Sequence, residues 1–71
     1  MLGEELRKAR DEAGLSQERL AFEAGVDRTY LSELENNHKS PTLEMLFRIC
    51  EALKVPASEI VRRMEQSKGK K

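Results

Sequence analysis

Ala21 and Gly25 stand four residues apart between two short amphipathic stretches, and no other feature limits the fold of this chain as much. A methyl side chain at 21 lets two helix backbones approach closely. A glycine at 25 reaches positive φ without a side-chain penalty, so an abrupt turn can follow. Ser16 is a good N-cap, and the stretch after it is predicted to be helical over 17–24. Arg19 stands where a capping box would place Glu or Gln, so the cap is a simple one. Asp27 can cap a second helix over 28–36, with Tyr30, Leu31 and Leu34 turned inward and Arg28, Thr29, Ser32 and Glu33 turned outward. Asn36 and Asn37 close it, because asparagine tolerates left-handed backbone better than other non-glycine residues.

The flanking sequence is helical too. Leu2, Leu6, Ala9 and Ala13 form the stripe of an amphipathic helix over 2–13, and Gly14 stops it. Residues 38–41 read as a connecting loop. Thr42 caps a further helix ending near Leu53, whose apolar positions are Leu43, Leu46, Phe47, Cys50 and Leu53. Pro56 suits the start of the last helix, with Ile60, Val61 and Met64 as its apolar positions. A single domain is expected over 1–66. Residues 67–71, with Ser, Gly and lysines, read as a disordered basic tail. With no strand pattern and no internal repeat, five short helices predict an all-α orthogonal bundle.

Composition narrows the function. The 71 residues are 38% hydrophobic, enough for one small core. A core in a domain below about 70–80 residues supplies only about 3–5 kcal/mol, so association is expected to supplement it. Cys50 has no partner for a disulfide, and no apolar run could span a bilayer or act as a secretory signal, so a reducing cytoplasm is expected. His38 is the only histidine. Cys50, Met45 and Met64 are read as packing residues, and neither a metal nor a cofactor is expected. No glycine-rich phosphate cradle follows a strand, and no catalytic constellation is visible, so the chain is not expected to be an enzyme or to bind a small-molecule ligand. The 13 basic and 13 acidic residues cancel to a net charge of +0. A nucleic-acid partner then depends on where the cations sit and not on how many there are.

Two short helices joined by a glycine-containing turn, with Val26, Leu31 and Leu34 anchoring the second, form the helix-turn-helix layout over 17–36. Around it lie Leu6, Arg7 and Arg10; Gly14-Leu15-Ser16-Gln17-Glu18; Leu20-Ala21; Gly25-Val26; Leu34-Glu35; Ser40-Pro41-Thr42; and Ala52-Leu53-Lys54-Val55. On these residues the chain, over 2–61, resembles the lambda and Cro repressor-like (Xre) family of bacterial and phage DNA-binding domains. The resemblance implies a five-helix lambda-repressor-like domain that docks its third helix in the major groove and usually binds operator DNA as a two-fold dimer. It implies a phosphate contact at Gln17 and an ion pair between Arg10 and Glu35 that joins the first and third helices. The run Asp27-Arg28-Thr29-Tyr30 is also similar to the controller proteins of restriction–modification systems.

The outward residues suit those roles chemically. Arg28, at the N-terminal end of the third helix, can grip guanine O6 and N7 with two parallel hydrogen bonds. Thr29 and Ser32 can donate or accept, and the Thr29 methyl can pack on thymine. Glu33 would be repelled by phosphates unless it accepts from a cytosine amino group or orients Arg28. Gln17 begins a helix whose free N–H groups favour a phosphate, and Asn36, His38, Lys39 and Ser40 can clamp the DNA backbone. Val61 and Met64 offer apolar surface for a two-fold contact. The expectation is a transcriptional regulator, a repressor or a restriction–modification controller, without a ligand-sensing domain. It would bind a pseudo-palindromic operator as a homodimer with recognition helices about 34 Å apart. Net neutrality and Glu33 leave one rival, a protein-interaction module or antitoxin built on the same bundle.

Overall fold

The computed structural model describes residues 2–69, with side chains through 66, as helices α1 (Leu2–Glu12), α2 (Gln17–Ala24), α3 (Arg28–Glu35), α4 (Leu43–Leu53) and α5 (Ala57–Gly69). Their boundaries follow from local chemistry. The Ser16 hydroxyl accepts from the Arg19 N–H at 3.0 Å, and the Thr42 hydroxyl accepts from the Met45 N–H at 3.1 Å, each satisfying a donor that the helix start leaves unpaired. Gly25 is left-handed at φ 73°, and its N–H closes on the end of α2. Asp27 occupies the N-cap position of α3, yet its side chain makes no capping bond. Asn37 takes left-handed backbone after α3, at φ 62°. Lys54 does the same after α4, at φ 63°, with no sequence signal to announce it. α5 begins one residue beyond Pro56, whose carbonyl accepts from the Glu59 N–H at 3.0 Å. Its helical backbone runs to Gly69, and the side chains of the expected tail, 67–71, lie outside the described residues.

α2 packs on both α3 and α4, while α1 packs on α3 and α5 and α4 touches α5. Leu6, Leu20, Leu31, Leu34, Ile49 and Ile60 are fully buried where these helices meet. Cys50 lies with them as a small apolar residue, and burial pushes its thiol pKa up. Ala21 is buried at the join of α2 to its neighbours, and Val26, Tyr30 and Met64 pack against the core from its edge.

α4 corrects the expected apolar stripe. Ile49 is buried, whereas Leu43 is 66% and Phe47 54% exposed. At about 100° per residue, Leu46, Ile49, Cys50 and Leu53 share one narrow arc, and positions 43 and 47 fall on its flank. α1 also ends earlier than the stripe suggested, leaving Ala13 exposed.

Gly3 marks a close approach of α1 to the end of α3. A Cβ built there would lie 2.5 Å from both the Leu34 and Glu35 carbonyl oxygens. Its N–H donates to Asn37 Oδ1 at 3.0 Å, fixing the start of α1 against the end of α3. At the other side of the molecule Arg63 pairs with Glu59 at 3.1 Å and with Glu12 at 3.7 Å, tying α5 to α1. Both Arg62 and Arg63 hold the Glu59 carboxyl below its ordinary pKa. No helix among the described residues is long and apolar enough to cross a membrane.

Candidate nucleic-acid interface

The buried face of α3 is set by Leu31, Leu34 and Glu35, which leaves the opposite face for a partner. At about 100° per residue, Arg28, Ser32, Asn36, Thr29 and Glu33 span an arc of about 140° outside the buried one, with Arg28 at its edge beside Glu35. Arg28 and Thr29 are exposed and Ser32 and Glu33 half-buried, so the structure brings the four expected base-reading residues onto one surface.

Orientation of that surface is fixed from beneath. Glu35 has a side chain only 3% exposed and Arg10 one 12% exposed. Arg10 Nε donates to Glu35 Oε2 at 2.7 Å and Arg10 Nη2 to Oε1 at 3.2 Å, a two-point fork between α1 and α3. The hydrogen bonds to Glu35 raise the guanidinium pKa above its ordinary value. Arg10 Nη1 also donates to the Leu15 carbonyl at 2.8 Å, holding the α1–α2 turn.

Gln17 joins the same network. Its Nε2 donates to Glu35 Oε1 at 3.0 Å, so the side-chain amide faces inward. A phosphate contact at Gln17, as expected from the sequence, would then have to use its backbone N–H and that of Glu18, at a helix start where such groups lack helical partners. Ser16, Gln17, Glu18, Arg10 and Arg28 line an open notch of about 370 Å³ there. Arg28 has no ion-pair partner among the described residues and stands at the rim of this notch, at the first position of α3.

Glu33 does not orient Arg28. Lys39 takes that place instead, its Nζ lying 3.5 Å from Glu33 Oε1. Residues five apart on a helix point about 140° away from each other, so Arg28 and Glu33 are poor neighbours on α3. The loop after α3 turns back sharply, with the His38 N–H donating to the Glu33 carbonyl at 2.8 Å, and this returns Lys39 to the helix it left.

The expected backbone clamp is divided. His38, Lys39 and Ser40 are exposed in the loop. Asn36 is exposed as well, but its Nδ2 donates to the Ser32 carbonyl at 2.9 Å and so helps close α3. Of the expected dimer residues, Val61 is 40% exposed and Met64 half-buried against the core. Leu43 and Phe47, apolar positions of α4 expected in its buried stripe, are larger exposed apolar residues. Sequence reasoning also missed Gly3 and the structural use of Asn37. The one available signal was a glycine inside a helix, a costly choice that often marks close backbone approach.

Two short helices joined at the left-handed Gly25, the second turning a polar face outward above a buried ion pair, have the layout of a helix-turn-helix DNA-binding domain. The helix-turn-helix family profile matches residues 6–60. The chain is 34% identical over 61 residues to an uncharacterised helix-turn-helix transcriptional regulator, y4dJ of Sinorhizobium fredii, covering 86% of this chain and 79% of that one. It is 38% identical to the transcriptional regulator ClgR of Mycobacterium tuberculosis over 86% of its own length, but spans only 54% of that protein. The solved structure of the restriction–modification controller protein C.AhdI from Aeromonas hydrophila superposes with a TM-score of 0.81 at 36% identity, covering 83% of this chain and 89% of that one. The chain belongs to the helix-turn-helix family, in its lambda and Cro repressor-like (Xre) branch. It is a sequence-specific DNA-binding regulator.

Proposed function

We propose that this regulator acts in the cytoplasm as a homodimer on a two-fold operator, in the manner of a repressor or a restriction–modification controller, with no catalytic step. The observation that carries this reading is the Arg10–Glu35–Gln17 network, which fixes α3 relative to the start of α2. Phosphate contact at one helix and base contact at the other then share one rigid geometry. The controller assignment draws on the run Asp27-Arg28-Thr29-Tyr30 and on the likeness to C.AhdI.

Dimer formation is supported by apolar surface that a small monomer leaves uncovered: Val61 on α5, together with Leu43 and Phe47 on α4. Sedimentation of the chain with a duplex selected from a random pool tests this. Two chains per duplex are expected, on a site with two-fold sequence symmetry. A single chain bound to an asymmetric site would contradict the dimer while leaving DNA binding intact.

A further inference from the structure

We propose that Lys39 is a specificity-determining residue, which positions the Glu33 carboxylate for the base pair that Glu33 reads. Lys39 was expected to hold phosphate, a role that adds affinity equally on every sequence. Its position is different. Nζ lies 3.5 Å from Glu33 Oε1 and 6.0 Å from the centroid of the Tyr30 ring, so one ammonium is held between a carboxylate and an aromatic face. The His38 N–H to Glu33 carbonyl bond, 2.8 Å, anchors the loop one residue earlier and keeps the lysine stem on a short leash. Tyr30, Glu33 and Lys39 line an open groove of about 700 Å³ together with Thr42, Met45 and Arg48.

The chemistry follows from charge. A bare carboxylate brought toward phosphates is repelled, and on a chain of net charge +0 nothing at long range offsets that repulsion. Lys39 neutralises Oε1 locally and leaves Oε2 able to accept from a cytosine amino group. Holding one oxygen also restricts the rotation of the other, so the lysine selects the direction in which Glu33 accepts. The Lys39 side chain is 55% and the Glu33 side chain 36% exposed, and a pair this open to solvent contributes little to folding. Their substitution leaves the bundle intact.

This inference rests on the DNA-binding reading, and the test separates the two. A duplex pool with a randomised centre is selected on the wild-type chain. Each base pair of the selected site is then varied, at one fixed salt concentration, for wild type, Glu33→Gln, Lys39→Met, Lys39→Arg and the Glu33→Gln/Lys39→Met double variant. Thermal melts monitored by circular dichroism verify folding. Lys39→Met is expected to flatten preference at the same base pair as Glu33→Gln, by about tenfold. Lys39→Arg is expected to retain that preference, and the double variant to lose no more than either single one. A common loss at every base pair on Lys39→Met, unchanged preferences, or losses that multiply in the double variant would each overturn the proposal. A wild-type chain that enriches no sequence would overturn the DNA-binding reading along with it.

Discussion

Glu33 and Glu35 stand two residues apart on α3 and meet opposite environments. Glu35 points into the molecule, where Arg10 and Gln17 satisfy both of its oxygens. Removing Arg10 would strand that buried charge. Arg10→Met is therefore expected to destabilise the fold by about 3–5 kcal/mol, read as a lowered urea midpoint at unchanged slope. A loss below about 1 kcal/mol would mean that water reaches Glu35 and that the pair behaves as a surface one. Arg28, by contrast, makes no ion pair among the described residues and is exposed, so its substitution is expected to spare stability. Arg28→Ala is expected to cost about 1–3 kcal/mol on a selected site and to relax preference at one base pair. Equal losses on selected and random duplexes would reduce Arg28 to a phosphate contact, which its place beside the α2 notch makes the sharpest alternative.

At the scale of helices, the C-terminal end of α3 is held to α1 at two points, one near each end of α1. Arg10 with Glu35 makes one point, and Gly3 with Asn37 makes the other. Gly3→Ala would push a methyl group against the Leu34 and Glu35 carbonyls, neither of which can rotate away as a side chain could. The expected result is a loss of about 1–3 kcal/mol in thermal or urea unfolding, together with weaker binding to selected DNA as the end of α3 is displaced. Wild-type stability in this variant would show that α1 slides without cost. Both boundaries of α2 and the start of α4 are legible in the sequence because Ser16, Gly25 and Thr42 act locally, through their own backbone neighbours. The Gly3 approach was not, since it depends on carbonyls more than thirty residues away. Phe47 shows a different limit. Its spacing from Leu43, Leu46 and Cys50 fits one face of a helix, but periodicity alone does not say which arc of that face meets the core, and Ile49 takes the central place. The outward set on α3 was legible for the opposite reason: Leu31 and Leu34 leave little choice about which side turns in.

Across the whole molecule, neutrality is a matter of arrangement. Acidic groups on α1, α2 and α5 are engaged by nearby arginines, as in Arg19 with Glu23 at 2.7 Å and Arg62 with Glu59 at 2.6 Å. Lys39 offsets Glu33 at the reading face, and Arg28 and Arg48 have no acidic partner among the described residues. Such a surface draws DNA weakly at long range, so discrimination has to come from close contacts fixed in orientation. The ratio of affinities for a selected duplex and a random duplex of equal length and composition, measured at the same near-physiological salt, tests this most directly. A ratio of about 10³ or more, falling sharply in Arg28→Ala, is the expected result. Equal affinity for the two duplexes, or no binding to either, would contradict it.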